Sequence, residues 1–359
     1  MEFGLTAEHK LLMETLRGFA ARECPPARLR ELFDAGVGHD PELWRDQAEM
    51  GVAGLAIPEE YGGAGLEILD LALAAEMLGN AALPGPFLGH ALAGLALRLG
   101  GSPAQRERWL PRLASGELIG TIAFGEADGG FEPGSWSARA EDGRLSGAKA
   151  WVPFGAAADL LVVGTAGGGL ALAQRSDSGV SVETVDGLDR TRPLASVRFA
   201  KAPCEPLPGG VAAAGRVRDA GLVLLAADAF GAAEKLLEMT LAYARAREQF
   251  GQPLAQFQAV KHQLADLAAE VEPMRGLVWY AAHAQDHVGD DAERSAALAK
   301  AHVTDVAVEV AREAVQLHGG IGFTWECDVQ IWLKRALFDR AFLGSPETHR
   351  ERQAALAAW

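Results

Sequence analysis

The sequence predicts an α+β protein in which a helical domain comes first, a β domain follows, and a second helical domain closes the chain. Three observations carry this prediction. The first third places apolar residues at helix spacing between recognisable caps. From about residue 119 to 207 the chain runs in short β-branched and apolar stretches broken by Gly, Asp and Ser, and long apolar-faced segments then return. At 359 residues the chain exceeds the size at which a single core usually stops growing, and the texture changes set boundaries at 1–117, 118–208 and 209–359.

Thr6 stands as an N-cap, and Leu12, Leu16 and Phe19 recur on one helix face. In "DPELWRDQAEMG", Asp40 caps, Pro41 takes the first turn and Gly51 ends the helix. "PEEYGGAG" is a loop, because Gly62, Gly63 and Gly65 admit backbone conformations that other residues resist. Ser102 and Pro103 start a further helix. The runs "LIGTIAF", "ADLLVVGTA", "GLALAQ", "GVSVETV" and "ASVRFAKAP" are strands, with a tight hairpin at Asp142 and Gly143. After the proline-rich "APCEPLPGG" come three long helices, beginning near Arg218, Leu254 and Glu293. They form a bundle whose remaining apolar face is expected to lie against another subunit. No internal repeat and no low-complexity tail interrupts this order.

Composition narrows the function. A formal net charge of -15 excludes unaided binding to nucleic acid or anionic lipid, since phosphate-rich partners demand a basic surface. No apolar run approaches the roughly 20 residues that span a bilayer, and the opening residues show no secretion signal, so a soluble, cytoplasmic protein is expected. Cys24, Cys204 and Cys327 are odd in number and far apart, which reads as reduced thiols, and no histidine or carboxylate cluster has metal-ligand spacing.

Two blocks carry chemistry. In "AYARAREQFGQPLAQFQAVKHQLAD", Arg247, Phe250 and Gly251 end a long helix, and Phe257 and Gln258 open the next. Locally this is either a helix cap with an aromatic plug or a clamp for a phosphorylated, ring-bearing ligand, because Arg offers forked donors and Phe a stacking face. In "QLHGGIGFTWE", Gln316 to Gly320 end a helix, and Gly319 and Gly320 serve either as a C-terminal stop or as room for a ligand backbone.

In this order, with "PEEYGG", "LPRLASGE" and "GAKAWV", the blocks resemble the acyl-CoA dehydrogenase family along essentially the whole chain. The resemblance implies the family fold, with a barrel-like middle domain, and implies FAD, an acyl-CoA thioester ligand and removal of hydrogens from Cα and Cβ of the acyl chain. It implies an FAD site across a subunit interface: the flavin ring in one chain's β domain, its pyrophosphate and adenosine held by the neighbour. Arg247, Phe250, Phe257, Gln258, Gln316, Gly319 and Gly320 match the neighbour's elements, and Trp151 matches a residue of the ring-holding half. By the same resemblance "GLEILDLALAAEMLGN" lines the acyl cavity, and an electron-transfer flavoprotein accepts the electrons.

The ring-holding half departs from the family. Where members read Thr-Glu-Pro-Gly-x-Gly-Ser, this chain reads "GEADGGF", with Gly125 at the Thr, Ala127 at the Pro and Phe131 at the Ser. "WVPFG" puts Pro153 where a second Thr is expected, and proline has no backbone N–H to offer. The family's usual Tyr-Glu-Gly-Thr, whose Glu takes the α-proton, reads "FLGS", so Leu343 stands at the base and Ser345 at the Thr. Gly221 occupies the alternative base position on the preceding long helix.

Asp228 is the one acidic side chain in "AGLVLLAADAFG". It is either a base whose pKa is raised by apolar surroundings or a structural carboxylate paired with a neighbour. Glu347 falls in a solvated charged tail, and Cys327 and Gln330 replace two histidines that a bacterial branch of the family carries after Trp-Glu. The expectation is a subunit of a heteromeric acyl-CoA dehydrogenase, similar to actinobacterial enzymes of steroid side-chain breakdown and assembled as a heterotetramer with an unlike chain. The alternatives are a self-sufficient homotetramer with an unusual base and a family member that binds acyl-CoA without redox chemistry.

Overall fold

The computed structural model describes residues 4–36 and 38–357. The first domain holds α1 (Ala7–Glu23), α2 (Pro26–Ala35), α3 (Pro41–Glu49), α4 (Ile68–Asn80), α5 (Phe87–Gly100) and α6 (Pro103–Ala114). The caps are those the sequence predicts. Thr6 and His9 close a capping box on α1, the Asp40 side chain accepts from the Glu42 and Leu43 amides, and Ser102 and Gln105 close a second box on α6. Each satisfies amides that a first helical turn leaves without an internal partner.

The middle domain comprises β1 (Gly120–Ala123), β2 (Arg139–Glu141), β3 (Arg144–Pro153), β4 (Leu160–Thr165), β5 (Gly169–Gln174), β6 (Val180–Val185), β7 (Leu194–Pro203) and β8 (Glu205–Pro206). The barrel-like outline takes the form of two four-stranded sheets, ordered β1-β4-β5-β8 and β2-β3-β7-β6. Every residue of β4 is buried, which is why "LLVVGT" reads as a continuous apolar run. The β3–β7 ladder slips register between Lys149 and Val152, and Trp151 in that slip adopts φ +56°. A bulge of this kind re-aims a side chain, and the Trp151 indole is left 38% exposed.

The last domain holds α7 (Gly210–Ala246), a short hairpin of β9 (Glu248–Gln249) and β10 (Gln252–Pro253), then α8 (Gln258–His287), α9 (Gly289–Leu317), α10 (Val329–Ala341) and α11 (Pro346–Leu356). The second long helix starts later than Leu254, after a 3-10 turn at Leu254–Gln256. α10 and α11 add to the three long helices read from the sequence, and Ser345 with Pro346 forms the start of α11. α7 is the central post, buried along most of its first two thirds. A methyl at Gly79 would meet the Asp228 carbonyl and one at Gly231 the Glu76 carbonyl, so α4 and α7 touch backbone to backbone.

α4 is therefore core. It contributes none of the residues lining the large cavity described below, while its Ala75 and Leu78 line a small pocket beside Asp228. Its Glu76 is 2% exposed and accepts from Trp279 Nε1 at 3.2 Å. Burial pushes its carboxyl up to about 7. The folded state thus holds a proton that the unfolded chain releases near pH 4.5, and this contribution to stability falls as pH rises through about 7. Glu76→Gln is expected to remove that dependence, so its urea midpoint relative to the parent should improve between pH 5 and pH 8, on the order of the window set by linkage.

Candidate functional site

A cavity of about 850 Å³ opens between the β domain and the last two helices. The bulged Trp151 and the loop from Asp186 to Leu194 form one side, and Leu337, Phe338, Phe342 and Leu343 form the other. Phe131 bridges them: its ring lies edge-on to Phe342 at 5.2 Å, and Phe342 stacks on Phe338 at 5.1 Å. Volume and apolar lining are those of a small-molecule site.

Leu343 and Gly221, the two places where the resemblance puts a base, meet at this cavity's edge. Leu343 is 1% exposed and takes φ +60°, a conformation costing a branched side chain about 1–2 kcal/mol. A methyl at Gly221 would stand 2.6 Å from Leu343 Cδ1 and 3.2 Å from Leu92 Cδ1. The glycine makes room for the leucine. Together they form one packed hydrocarbon contact, and neither side chain accepts a proton.

The turn that presents Leu343 is held from beneath. His349 Nε2 donates to the Leu343 carbonyl at 2.9 Å, and Lys300 Nζ donates to the Asp339 and Arg340 carbonyls at the end of α10. Both side chains are fully buried. Burial pushes the Lys300 ammonium down to about 7, and burial with the nearby Lys300 charge pushes His349 down to about 4. Gly344, at φ +104°, lies against the imidazole, where a Cβ would stand 2.9 Å from Nε2.

Asp228 lies elsewhere and does something else. It is 3% exposed, faces away from the large cavity, and is gripped by Arg335 Nε at 2.8 Å, Arg335 Nη2 at 2.7 Å and Arg192. Burial alone would raise its carboxyl, but the two guanidiniums outweigh burial and hold it below the usual carboxylate range. A carboxylate held low and forked between two arginines is a poor base, so the reading of Asp228 as a base is corrected to that of a structural ion pair. Arg192 also binds Asp339, whose carboxyl burial pushes well above its usual range, and stacks on Phe338 at 5.0 Å. The network ties the β-domain loop to α7 and α10.

The other sequence-predicted residues gather on a separate surface. Arg247 follows α7 directly and is exposed, without a side-chain partner among the described residues. Phe250 and Gly251 form the two-residue turn of the β9–β10 hairpin, both at positive φ, and Phe250 is 95% exposed. Such a conformation is rare for phenylalanine and holds the ring outward. Phe257 lies 6.2 Å from Phe250, and Gln258 begins α8. Gln316, Gly319 and Gly320 are exposed at the end of α9, where Gly319 takes φ +64° as a helix stop. Tyr243 stacks on His318 at 4.4 Å, which brings the two motifs together. None of these residues lines the cavity that holds Trp151 and Leu343.

Comparison with known proteins fits this arrangement. The model of the acyl-CoA dehydrogenase N-terminal domain matches residues 6–117, and that of the C-terminal domain matches residues 210–357. The chain is 35% identical over 355 residues to acyl-CoA dehydrogenase IpdE2 of Mycolicibacterium smegmatis, covering 98% of this chain and 99% of that protein. It superposes with TM-score 0.90 on a chain of the Tcur3481-Tcur3483 steroid ACAD G363A variant, 32% identical and covering 98% of each. A chain of the ChsE4-ChsE5 complex from Mycobacterium tuberculosis gives TM-score 0.91 at 28% identity, covering 100% of this chain and 99% of that one. The chain belongs to the acyl-CoA dehydrogenase family, oxidoreductases that act on the CH-CH bond of acyl-CoA and bind FAD.

The two halves of the chain fit FAD unequally. The surface of Arg247, Phe250, Gln258, Gln316 and the paired glycines offers free donors, an aromatic face and unobstructed backbone, which suits a pyrophosphate and adenosine. The cavity's hydroxyls are those of Ser135, Ser345 and Thr348, and none stands at 125 or 153, where the resemblance expects threonines. A side chain at Gly125 would run into the Ala150 carbonyl and stand 3.0 Å from the Phe131 ring. The nearby Thr121 hydroxyl already donates to the Pro153 carbonyl at 2.6 Å, and Ser135 donates to the Glu132 carbonyl at 2.8 Å. No helix among the described residues is long and apolar enough to cross a membrane, and no group of three or more possible metal ligands gathers among them.

Sequence reasoning missed Arg192, Lys300, Arg335 and His349. Only Lys300 left a trace, as a lysine within the otherwise small and apolar "AALAKAHV". Arg192 and Arg335 reach partners in other domains, while His349 holds the carbonyl of Leu343 in its own.

Proposed function

We propose that this chain is the adenosine-holding subunit of a heteromeric acyl-CoA dehydrogenase that desaturates an acyl-CoA or steroid-CoA thioester. The observation that carries this reading is the packing of Leu343 over Gly221, the two residues that stand where the resemblance puts a base. Arg247, Phe250, Phe257, Gln258, Gln316, Gly319 and Gly320 would hold the pyrophosphate and adenosine of an FAD whose ring lies in an unlike partner chain, and the partner supplies the base. Bound FAD supplies the hydride acceptor. The likeness to chains of the ChsE4-ChsE5 and Tcur3481-Tcur3483 assemblies supports a mixed oligomer. An electron-transfer flavoprotein is the expected electron acceptor.

The self-sufficient reading calls for an unusual base, and the ion pairs of Asp228 count against Asp228 in that role. The test is the visible spectrum of the chain purified alone and co-purified with an acyl-CoA dehydrogenase-like chain encoded beside it. The expected result is a colourless chain and a yellow complex with one flavin per pair of unlike chains. One flavin per chain in the protein alone would overturn the proposal.

A further inference from the structure

We infer that Phe131 is a strut that bars a flavin ring from this chain's own cavity. The inference rests on the half-site reading and names the residue that enforces it: the ring site is closed by a side chain the fold holds in place, in addition to lacking two hydroxyls.

Volume does not account for the bar, since about 850 Å³ is ample for a small molecule. What the cavity lacks is an open span between its walls. Phe131 comes from the β domain and meets Phe342 edge-on at 5.2 Å, Phe342 stacks on Phe338 at 5.1 Å, and the Arg192 guanidinium backs Phe338 at 5.0 Å. The three rings form one column from the β domain to α10. A flat ring laid between the walls would have to part Phe131 from Phe342, and aromatic pairs in such geometry attract beyond the area they bury.

The strut has a fixed base. The Glu126 amide donates to the Gly130 carbonyl at 2.8 Å, the Gly129 amide donates to the Glu126 carbonyl at 3.0 Å, and the Phe131 carbonyl accepts from Trp136 Nε1 at 3.1 Å. The Glu126 carboxylate accepts from Lys149 and from the Ser137 amide and hydroxyl. Glu126 and Lys149 are both buried, and breaking a buried pair is costly. Gly125 completes the fit. A Cβ there would stand 3.0 Å from Phe131 Cε1, so the phenyl ring takes the space that a side chain at 125 would need.

The bar is one of shape, because the polar groups on the cavity wall are of both kinds. Asp186 and Asp189 bring carboxylates, with Asp189 Oδ2 buried and unpartnered, while Lys334, Ser345 and Thr348 bring donors. A flavin ring carries an N3–H donor and acceptor carbonyls and has use for both. Shortening the strut should therefore suffice to admit it.

The test uses the full chain purified alone, with lumiflavin as the probe. Lumiflavin carries the ring without the phosphates and adenosine that the Arg247 surface would hold, so that surface takes no part. Flavin fluorescence is followed as protein is added. The parent and Phe131→Tyr, which keeps the column, are expected to show no saturable binding. Phe131→Ser and Phe131→Val should each bind one lumiflavin per chain, at least about tenfold more tightly than the parent. A urea curve checks the folding of both, and either variant alone suffices for the comparison. Saturable binding by the parent, or no gain in a folded shortened variant, overturns the inference and leaves the half-site reading to its own test, the flavin content of the chain as purified. One flavin per chain in that preparation overturns the half-site reading and this inference with it.

Discussion

Asp228→Ala is expected to destabilise the chain by about 3–5 kcal/mol, because it leaves two guanidiniums buried without their shared counter-charge. Arg192 and Arg335 are 5% and 2% exposed, so neither can turn to water to recover what it loses. Asp228→Asn keeps the shape and some hydrogen bonds but not the charge, and should cost less. Replacing Arg192, Asp228, Arg335 and Asp339 together by apolar residues of similar volume should recover much of the loss, since a buried ion network contributes less than its broken remnant costs. Urea denaturation of the four proteins measures this. A variant at Asp228 with unchanged stability and lost turnover would return Asp228 to the role of base.

Arg247→Ala is expected to bleach the mixed complex. A charge-assisted hydrogen bond contributes about 1.5–3 kcal/mol, so flavin retention should weaken by about tenfold to a hundredfold or slightly more. Arg247 is exposed and has no side-chain partner in its own chain among the described residues, so the urea midpoint should stay within about 0.5 kcal/mol of the parent. Arg247→Lys should retain only part of the flavin, because it keeps the charge and loses the fork. The readout is the visible spectrum of the dialysed complex beside its urea curve. Full flavin retention in Arg247→Ala would show that the adenosine-holding surface lies elsewhere.

Much of the architecture was legible because it is encoded over short distances. Thr6, Asp40 and Ser102 announce helix starts through their own neighbours, and "LLVVGT" announces a doubly buried strand. The motif residues around Arg247 and Gly319 are local too, and the helix stop at Gly319 follows from its own positive φ, whereas the hairpin that carries Phe250 and Gly251 does not. The substitution of a leucine at 343 and a glycine at 221 could likewise be read one position at a time.

The site itself was not legible, because its partners are brought together only by tertiary packing, within the last domain and between domains. Asp228 looks the same in sequence whether it faces a cavity or two arginines, and the arginines come from a β-domain loop and from α10. That α4 packs on α7 instead of lining the cavity depends on Gly79 and Gly231, whose role appears only when the two backbones meet.

The sequence by itself determined the order of helices, strands and helices, the caps, the family, and the leucine and glycine that stand at 343 and 221. Tertiary structure alone decided that Leu343 and Gly221 are one packed contact, that Asp228 is an ion-pair anchor, and that Lys300, His349 and Arg192 hold the walls of the cavity beside Leu343. The physical reason is range: periodicity and capping act over a few residues along the chain, whereas burial, charge pairing and the fit of Leu343 to Gly221 depend on which distant residues the fold makes neighbours.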